Sequence, residues 1–349
     1  MLPRSSRAAG MPGPYWAQRN QLLSAGVNFT LHLVASRIIY TFRQTFFDNL
    51  LMTADSMRKE PRIDDAPPPD WPFRPASRLL DVDGIRWHYQ QMGAGPELLL
   101  VHGTGGSVHS WALCVEALGT AYHVTAIDLP GHGFTLVPPE VDARLDCFSL
   151  DGMSRRVAAL LKTIGVAPTL VAGHSAGVSV LLRMVLDSTI APTRIVGFNP
   201  ALVAPPDFYV ALIAPVLGAI FESRAIADSG AWLARSTRLV QTMLNSTGTQ
   251  LAPEQLARYE LLCARPEHVH AALAMMSRWD LPRLVRDAAA LTTPLDLIAG
   301  ADDRWVPYAA LQKSVARIPR ATLRAVDRAG HLLLEERPDE VVRALVGRV

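Results

Sequence analysis

The stretch Leu170-Val171-Ala172-Gly173-His174-Ser175-Ala176-Gly177-Val178 decides the architecture. Thr169–Ala172 is a short apolar run of the kind found in a strand buried on both faces. Val178–Leu186 follows with helical periodicity. Between them, Gly173-His174-Ser175-Ala176-Gly177 matches G-x-S-x-G in the strand–turn–helix setting which that motif requires. The glycines permit a tight, strained turn that holds the Ser175 hydroxyl above the end of a sheet.

Outward from this turn the same alternation continues. Leu98–Val101, His123–Ile127, Arg194–Phe198, Leu295–Ala299 and Thr322–Val326 are further apolar runs. Helical patterns such as Ser154–Ile164 lie between them. Strand–helix alternation predicts a mostly parallel central sheet with helices on both faces, an α/β architecture. Arg78–Val82 and Ile85–Gln91 flank Asp83-Gly84, which suits a two-residue hairpin turn and adds an antiparallel start. The alternation fails from about Pro205 to Ala290, where Val210–Ala227, Ala231–Leu244, Pro253–Cys263 and Glu267–Met276 read as helices. These divisions predict a core from 78–204, an inserted helical cap at 205–290 and the rest of the core at 291–349.

The N-terminal part differs in kind. Val27, Leu31, Val34, Ile38, Phe42 and Phe46 fall at helical steps, interrupted by His32, Arg37, Arg43 and Gln44. The interruptions argue against a transmembrane span, and no small-residue cleavage site marks a signal peptide. Two readings of residues 1–57 stand: an amphipathic helix making a peripheral membrane or partner contact, or a non-native start, with Met52 and Met57 as alternative initiators. Residues 58–77, with Asp64-Asp65-Ala66-Pro67-Pro68-Pro69, read as a linker.

Composition narrows the function classes. Of 349 residues 49% are hydrophobic and 19% charged, and 34 basic against 32 acidic residues give a net charge of +2. Without a basic block, nothing recommends nucleic acid as a partner. Cys114, Cys147 and Cys263 are scattered and odd in number, which favours a reducing, cytoplasmic setting, with membrane association resting on the N-terminal segment alone. No paired-cysteine or H-E-x-x-H pattern is present, so neither metal nor cofactor is expected. His268 and His270 are two apart on a helix and point to different faces.

A serine hydroxyl is a poor nucleophile until a base takes its proton, so a histidine is needed elsewhere. Ala329-Gly330-His331 follows the last apolar run, and Asp302-Asp303 follows the one before it. Either aspartate could orient the imidazole. Val101-His102-Gly103-Thr104-Gly105-Gly106 is a turn-rich loop after an early strand, with His109 and Trp111 beside it as candidate pocket residues. Met275, Met276 and Trp279 form a soft apolar set in the inserted stretch, with Met275 and Trp279 as candidate substrate contacts. Arg224, Arg235 and Arg238 are the basic residues of the insertion, and solvated surface positions suit each.

Together these residues resemble the α/β-hydrolase superfamily over about 78–349. That resemblance implies catalysis by Ser175, Asp303 and His331, because the acid is the fourth residue of a G-x-x-D-x-x-x-P loop. It also implies an oxyanion hole from Thr104 and Ala176, with Gly105 the alternative to Thr104. A narrower likeness rests on Asp70-Trp71-Pro72, Ser77-Arg78, Gly84–His88 and His102-Gly103-Thr104-Gly105. It extends through His109-Ser110-Trp111, Asp128–Thr135 and Gly173–Gly177. This set is similar to the magnesium-chelatase accessory proteins of bacteriochlorophyll biosynthesis in photosynthetic bacteria. What it implies is a role beside magnesium insertion into protoporphyrin, with magnesium chelatase as a partner and a tetrapyrrole or small molecule as ligand. It does not imply a reaction. Three readings follow: a serine hydrolase on an ester, thioester or amide; a general capped esterase or carbon–carbon bond hydrolase; and a non-catalytic tetrapyrrole carrier or chaperone.

Overall fold

The computed structural model describes residues 66–203, 223–236 and 238–347. The N-terminal segment 1–57 and the first part of the expected cap, 205–222, lie outside the described residues. In chain order the strands are β1 (Ser77–Val82), β2 (Ile85–Met92), β3 (Glu97–Val101), β4 (His123–Ile127), β5 (Leu170–His174), β6 (Arg194–Phe198), β7 (Leu295–Gly300) and β8 (Ala321–Val326). They form one eight-stranded sheet in the order β1-β2-β4-β3-β5-β6-β7-β8. β2 runs antiparallel to both of its neighbours, β1 and β4, and β3 through β8 are mutually parallel. Asp83 and Gly84 both take positive φ, 55° and 84°, as the hairpin turn requires.

Alternation along each central strand explains the two-sided core. Leu99 and Val101 of β3 pack on one face with Val171, Ile195 and Leu297. Leu98 and Leu100 pack on the other with Ala172, Val196 and Phe198. Each of the four β3 residues is fully buried, a burial that contributes about 1.5–3 kcal/mol per side chain as an upper bound.

Helices cover both faces. α1 (Val115–Gly119) is followed by α2 (Pro139–Leu145), α3 (Leu150–Ile164) and α4 (Ala176–Leu186). α3 opens on Ser149, whose hydroxyl accepts the Gly152 N–H, and closes on Gly165 in the left-handed region. Between β6 and β7 come α5 (Arg224–Ser236), α6 (Leu239–Ser246), α7 (Pro253–Cys263), α8 (Pro266–Arg278) and α9 (Leu281–Asp287). The single helix expected over Ala231–Leu244 is thus two, the second starting at Leu239 after Arg238. α10 (Tyr308–Val315), α11 (Leu333–Glu336) and α12 (Pro338–Val346) complete the chain. The stretch expected to be linker also differs at its end: Trp71 is buried and stacks edge-on against Phe134.

The insertion is fastened to the core by a buried polar contact. Tyr259 on α7 donates its hydroxyl to Glu335 Oε1 on α11 at 2.6 Å. Among the described residues, the second carboxyl oxygen, Oε2, has no hydrogen-bond partner. Burial pushes the Glu335 carboxyl up to about 8, against the opposing effect of the Tyr259 hydrogen bond. The folded protein therefore keeps this proton from pH 4.5 to about 8, while the unfolded chain releases it near the ordinary value of 4.5. Across that window the native state binds more protons, so the group makes stability fall as pH rises, by roughly 1.4 kcal/mol per unit. Glu335→Gln removes this dependence. Urea midpoints for the two proteins should coincide near pH 4 and separate progressively up to pH 8, with the variant the more stable.

Candidate active site

The sheet order reverses direction at β3, which has β4 on one side and β5 on the other. In open parallel sheets such a switch leaves a crevice at the carboxyl ends of the strands. Ser175 follows β5 there with φ 49° and ψ −115°, outside the regions that ordinary residues occupy. Neighbouring glycines make this possible. A Cβ on Gly177 would run into the carbonyl oxygens of Val101 and His102, so helix α4 can only approach β3 this closely without one.

Four further loops bring side chains to the same edge. His331 follows β8, and its Nε2 lies 3.0 Å from Ser175 Oγ. Asp303 follows β7, and its Oδ2 lies 2.7 Å from His331 Nδ1. A carboxylate on Nδ1 fixes the imidazole proton there and leaves Nε2 as the acceptor facing the serine, an arrangement able to take its proton. Asp303 is buried whereas Asp302 is exposed. Burial pushes the Asp303 carboxyl up, but the His331 hydrogen bond and charge, the Val306 N–H and Asn199 outweigh it, leaving the group below its ordinary value.

Every acceptor site of Asp303 is used. Oδ1 accepts the N–H groups of Trp305 and Val306 at 2.9 and 2.8 Å. Oδ2 also accepts Asn199 Nδ2 at 2.6 Å, and the same nitrogen donates to the Gly330 carbonyl at 3.2 Å. Asn199 follows β6 and was not singled out from the sequence. A polar residue at the carboxyl end of a buried strand is the signal that points to it. The His174 ring donates Nε2–H to the His331 carbonyl at 2.8 Å. Burial, with the nearby His331, lowers its pKa to about 3, so this ring is a fixed neutral donor.

The loop after β3 abuts the serine: a Cβ on Gly103 would come within 2.8 Å of Ser175 Cβ. Thr104 is next in the chain, and Ala176 is the first residue of α4. Both therefore flank Ser175. Met275 is buried and its sulfur lies 3.8 Å from Thr104 Oγ1.

The other expected pocket residues have different surroundings. Trp111 packs edge-on against Phe198 within the core, among Leu333 and Leu334. His109 is held by Ser107 Oγ at 2.7 Å and is flanked by Tyr259 and Trp71. Trp279 donates its indole N–H to the Phe148 carbonyl at 3.0 Å. These three are in packing positions, which periodicity cannot distinguish from a pocket wall; Met276 is largely exposed. Among the described residues no group of three or more His, Cys, Asp or Glu side chains is arranged to hold a metal ion. Nor is any described helix long and apolar enough to cross a membrane.

Comparison with known proteins agrees with the architecture. The model for the alpha/beta hydrolase family matches residues 98–344, and the chain belongs to that family. It is 35% identical over 280 residues to the magnesium-chelatase 30 kDa subunit of Rhodobacter capsulatus, covering 78% of this chain and 94% of that protein. It is 28% identical to a pimeloyl-[acyl-carrier protein] methyl ester esterase of Xanthomonas campestris, over 74% of this chain and 96% of the relative. Among solved structures, an alpha/beta hydrolase fold protein from Burkholderia ambifaria superposes with a TM-score of 0.65 at 26% identity. That match covers 78% of this chain and 98% of the other.

The Asn199 contact yields a test of the site's electrostatics. Asn199→Asp sets a second carboxylate against Asp303 Oδ2 and the Gly330 carbonyl. Two such carboxylates cannot both ionise cheaply, so one pKa rises. The variant should lose about 3 kcal/mol of stability at pH 7. Much of this should return at pH 4.5, where one of the pair takes a proton; thermal melts at the two pH values measure the difference.

Proposed function

We propose that the chain is a serine hydrolase whose reaction serves magnesium insertion into a tetrapyrrole. The observation that carries the hydrolase reading is the chain of contacts from Asp303 through His331 to Ser175, 2.7 and 3.0 Å. In this reading His331 Nε2 takes the Ser175 proton as Oγ attacks a carbonyl carbon of an ester, thioester or amide. The backbone N–H groups of Thr104 and Ala176 stabilise the oxyanion. His331 then returns the proton to the leaving group, and the acyl-Ser175 intermediate is cleaved by water that His331 deprotonates in turn. Asp303 keeps the imidazole in the productive tautomer. The helices between β6 and β7 act as the cap over this site, with Met275 on its inner face.

The link to tetrapyrrole chemistry rests on the 35% identity to a magnesium-chelatase subunit. The same identity favours a second reading, in which the protein binds a tetrapyrrole or the chelatase itself without catalysis. Arg224 and Arg238 are exposed on the insertion and are available to propionates. The relative that is a methyl ester esterase favours the hydrolase reading, and with it a general capped esterase.

Ser175→Ala should abolish covalent labelling by a fluorophosphonate while leaving the melting temperature close to that of the parent. Labelling that persists removes Ser175 from the role. Asp303→Asn should lower turnover of a model ester about ten-thousand-fold, whereas Asp302→Asn should stay within a few-fold; the reverse ranking transfers the role to Asp302. In a photosynthetic host, deletion of the gene should lower bacteriochlorophyll and accumulate protoporphyrin. Rescue by the Ser175→Ala allele would select the carrier reading. Unchanged pigment would remove the chelatase role and leave a general esterase.

A further inference from the structure

Helix α8 lies over two loops of the core and touches both through one face. His268, Ala271 and Met275 are spaced three and four apart, so they stack along one side of the helix. Met275 reaches Thr104, as described above. Ala271 sits over Gly131, where an added Cβ would come within 2.5 Å of the alanine methyl. His268 makes the most specific contact. The Gly133 N–H donates to its Nδ1 at 3.0 Å. With Nδ1 an acceptor, the ring proton sits on Nε2, which donates to the Gly105 carbonyl at 3.2 Å.

Gly105 has φ +71°, and among the described residues no atom lies within 4 Å of its Cβ position. The Gly106 N–H closes a turn onto the Gly103 carbonyl at 3.1 Å. The orientation of the peptide after Gly105 therefore depends on that turn and on His268. The adjoining peptide unit leads directly to Thr104, the neighbour of Gly103, where an added Cβ would lie 2.8 Å from Ser175 Cβ.

On the serine-hydrolase reading, we infer that His268 is a positioning residue through which the seated insertion sets the geometry of the oxyanion loop. It touches no reacting atom. It ties Gly105 to Gly133 from above, so the loop has its catalytic shape only when α8 is down. Burial and the nearby His132 hold the His268 imidazole well below its ordinary value. The ring thus stays in the one neutral tautomer able to accept from Gly133 and donate to Gly105 together. A displaced oxyanion donor weakens transition-state stabilisation more than substrate binding.

The test uses the full-length protein, a p-nitrophenyl ester and a fluorophosphonate. His268→Ala should lower kcat by roughly tenfold to a hundredfold, with KM changed less than about threefold. The rate of phosphonylation of Ser175 should fall in parallel. His268→Gln keeps one acceptor and one donor, and should recover most of the lost rate. His268→Leu keeps the volume and loses both bonds; it replaces the alanine variant if that one does not fold, with the same expected loss. Wild-type rates in the alanine or leucine variant overturn the inference. So does an equal loss in the glutamine variant that follows the drop in melting temperature, since that marks a purely structural part. A wild-type protein that neither labels nor turns over the ester overturns the hydrolase reading itself, and this inference with it.

Discussion

The backbone at Ser175 is the constraint on which the site depends. A non-glycine residue at φ 49° and ψ −115° costs about 1–3 kcal/mol and persists only where its surroundings over-determine it. Here both of its backbone polar groups are committed. Its N–H donates to the Phe198 carbonyl at 2.9 Å, and its own carbonyl accepts from Ala201 and Val178 at 3.0 and 3.2 Å. Those bonds run to the end of β6, to the loop after it and to the first turn of α4. The strained residue is thus pinned by the parallel strand next door, and the parallel arrangement is what lines up the ends of β3, β5, β6, β7 and β8 along one edge. Without that edge, Asn199, Asp303 and His331 would have no common place to meet.

A second constraint holds the loops that flank the edge. Asp128, after β4, is fully buried and lies 2.7 Å from His88 Nδ1. Its oxygens also accept the N–H groups of Val108 and Phe134 at 2.7 and 2.9 Å. Burial pushes the carboxyl up, yet His88, His102 and the Phe134 N–H keep it below its ordinary value. One carboxylate therefore anchors both the loop after β3 and the loop after β4. Around it, His102 and His132 are buried rings whose pKa values burial lowers. His102 accepts the Leu129 N–H and sits beside the Gly103 carbonyl, so it joins the same two loops. His102 serves here as a neutral connector with one donor and one acceptor, and His331 faces Ser175 Oγ.

Much of the architecture was legible because burial on both faces leaves an unmistakable trace. Runs such as Leu98–Val101 have no polar alternation to confuse them, and Asp83-Gly84 announces its own turn. Ser175 was legible because G-x-S-x-G stands between a strand-like run and a helical one. The choice between Asp302 and Asp303 needed the family pattern, since adjacent carboxylates look alike until one is seen to turn inward. Trp111 and His109 were harder still: a large side chain beside an active-site loop packs or lines a pocket with the same composition. Asn199 and His268 act through hydrogen bonds to backbone groups of distant loops, and no periodicity encodes such a partner. Trp71 illustrates the opposite error, a proline-rich approach read as spacer although its aromatic residue is taken into the core.

The placement of the helical insertion between β6 and β7 also fixes an order of assembly. During synthesis the serine, its strained turn and the first six strands emerge before any of α5 to α9. Until β7 docks, β6 is an open edge whose backbone groups invite pairing with other chains. The insertion must be looped out before β7 can reach β6, at an entropic cost that grows only slowly with its length. Asp303 and His331 arrive in the last two strands' loops. A truncated or stalled chain therefore carries the Ser175 turn without the His331 and Asp303 contacts, which form only when the C-terminal strands close the sheet.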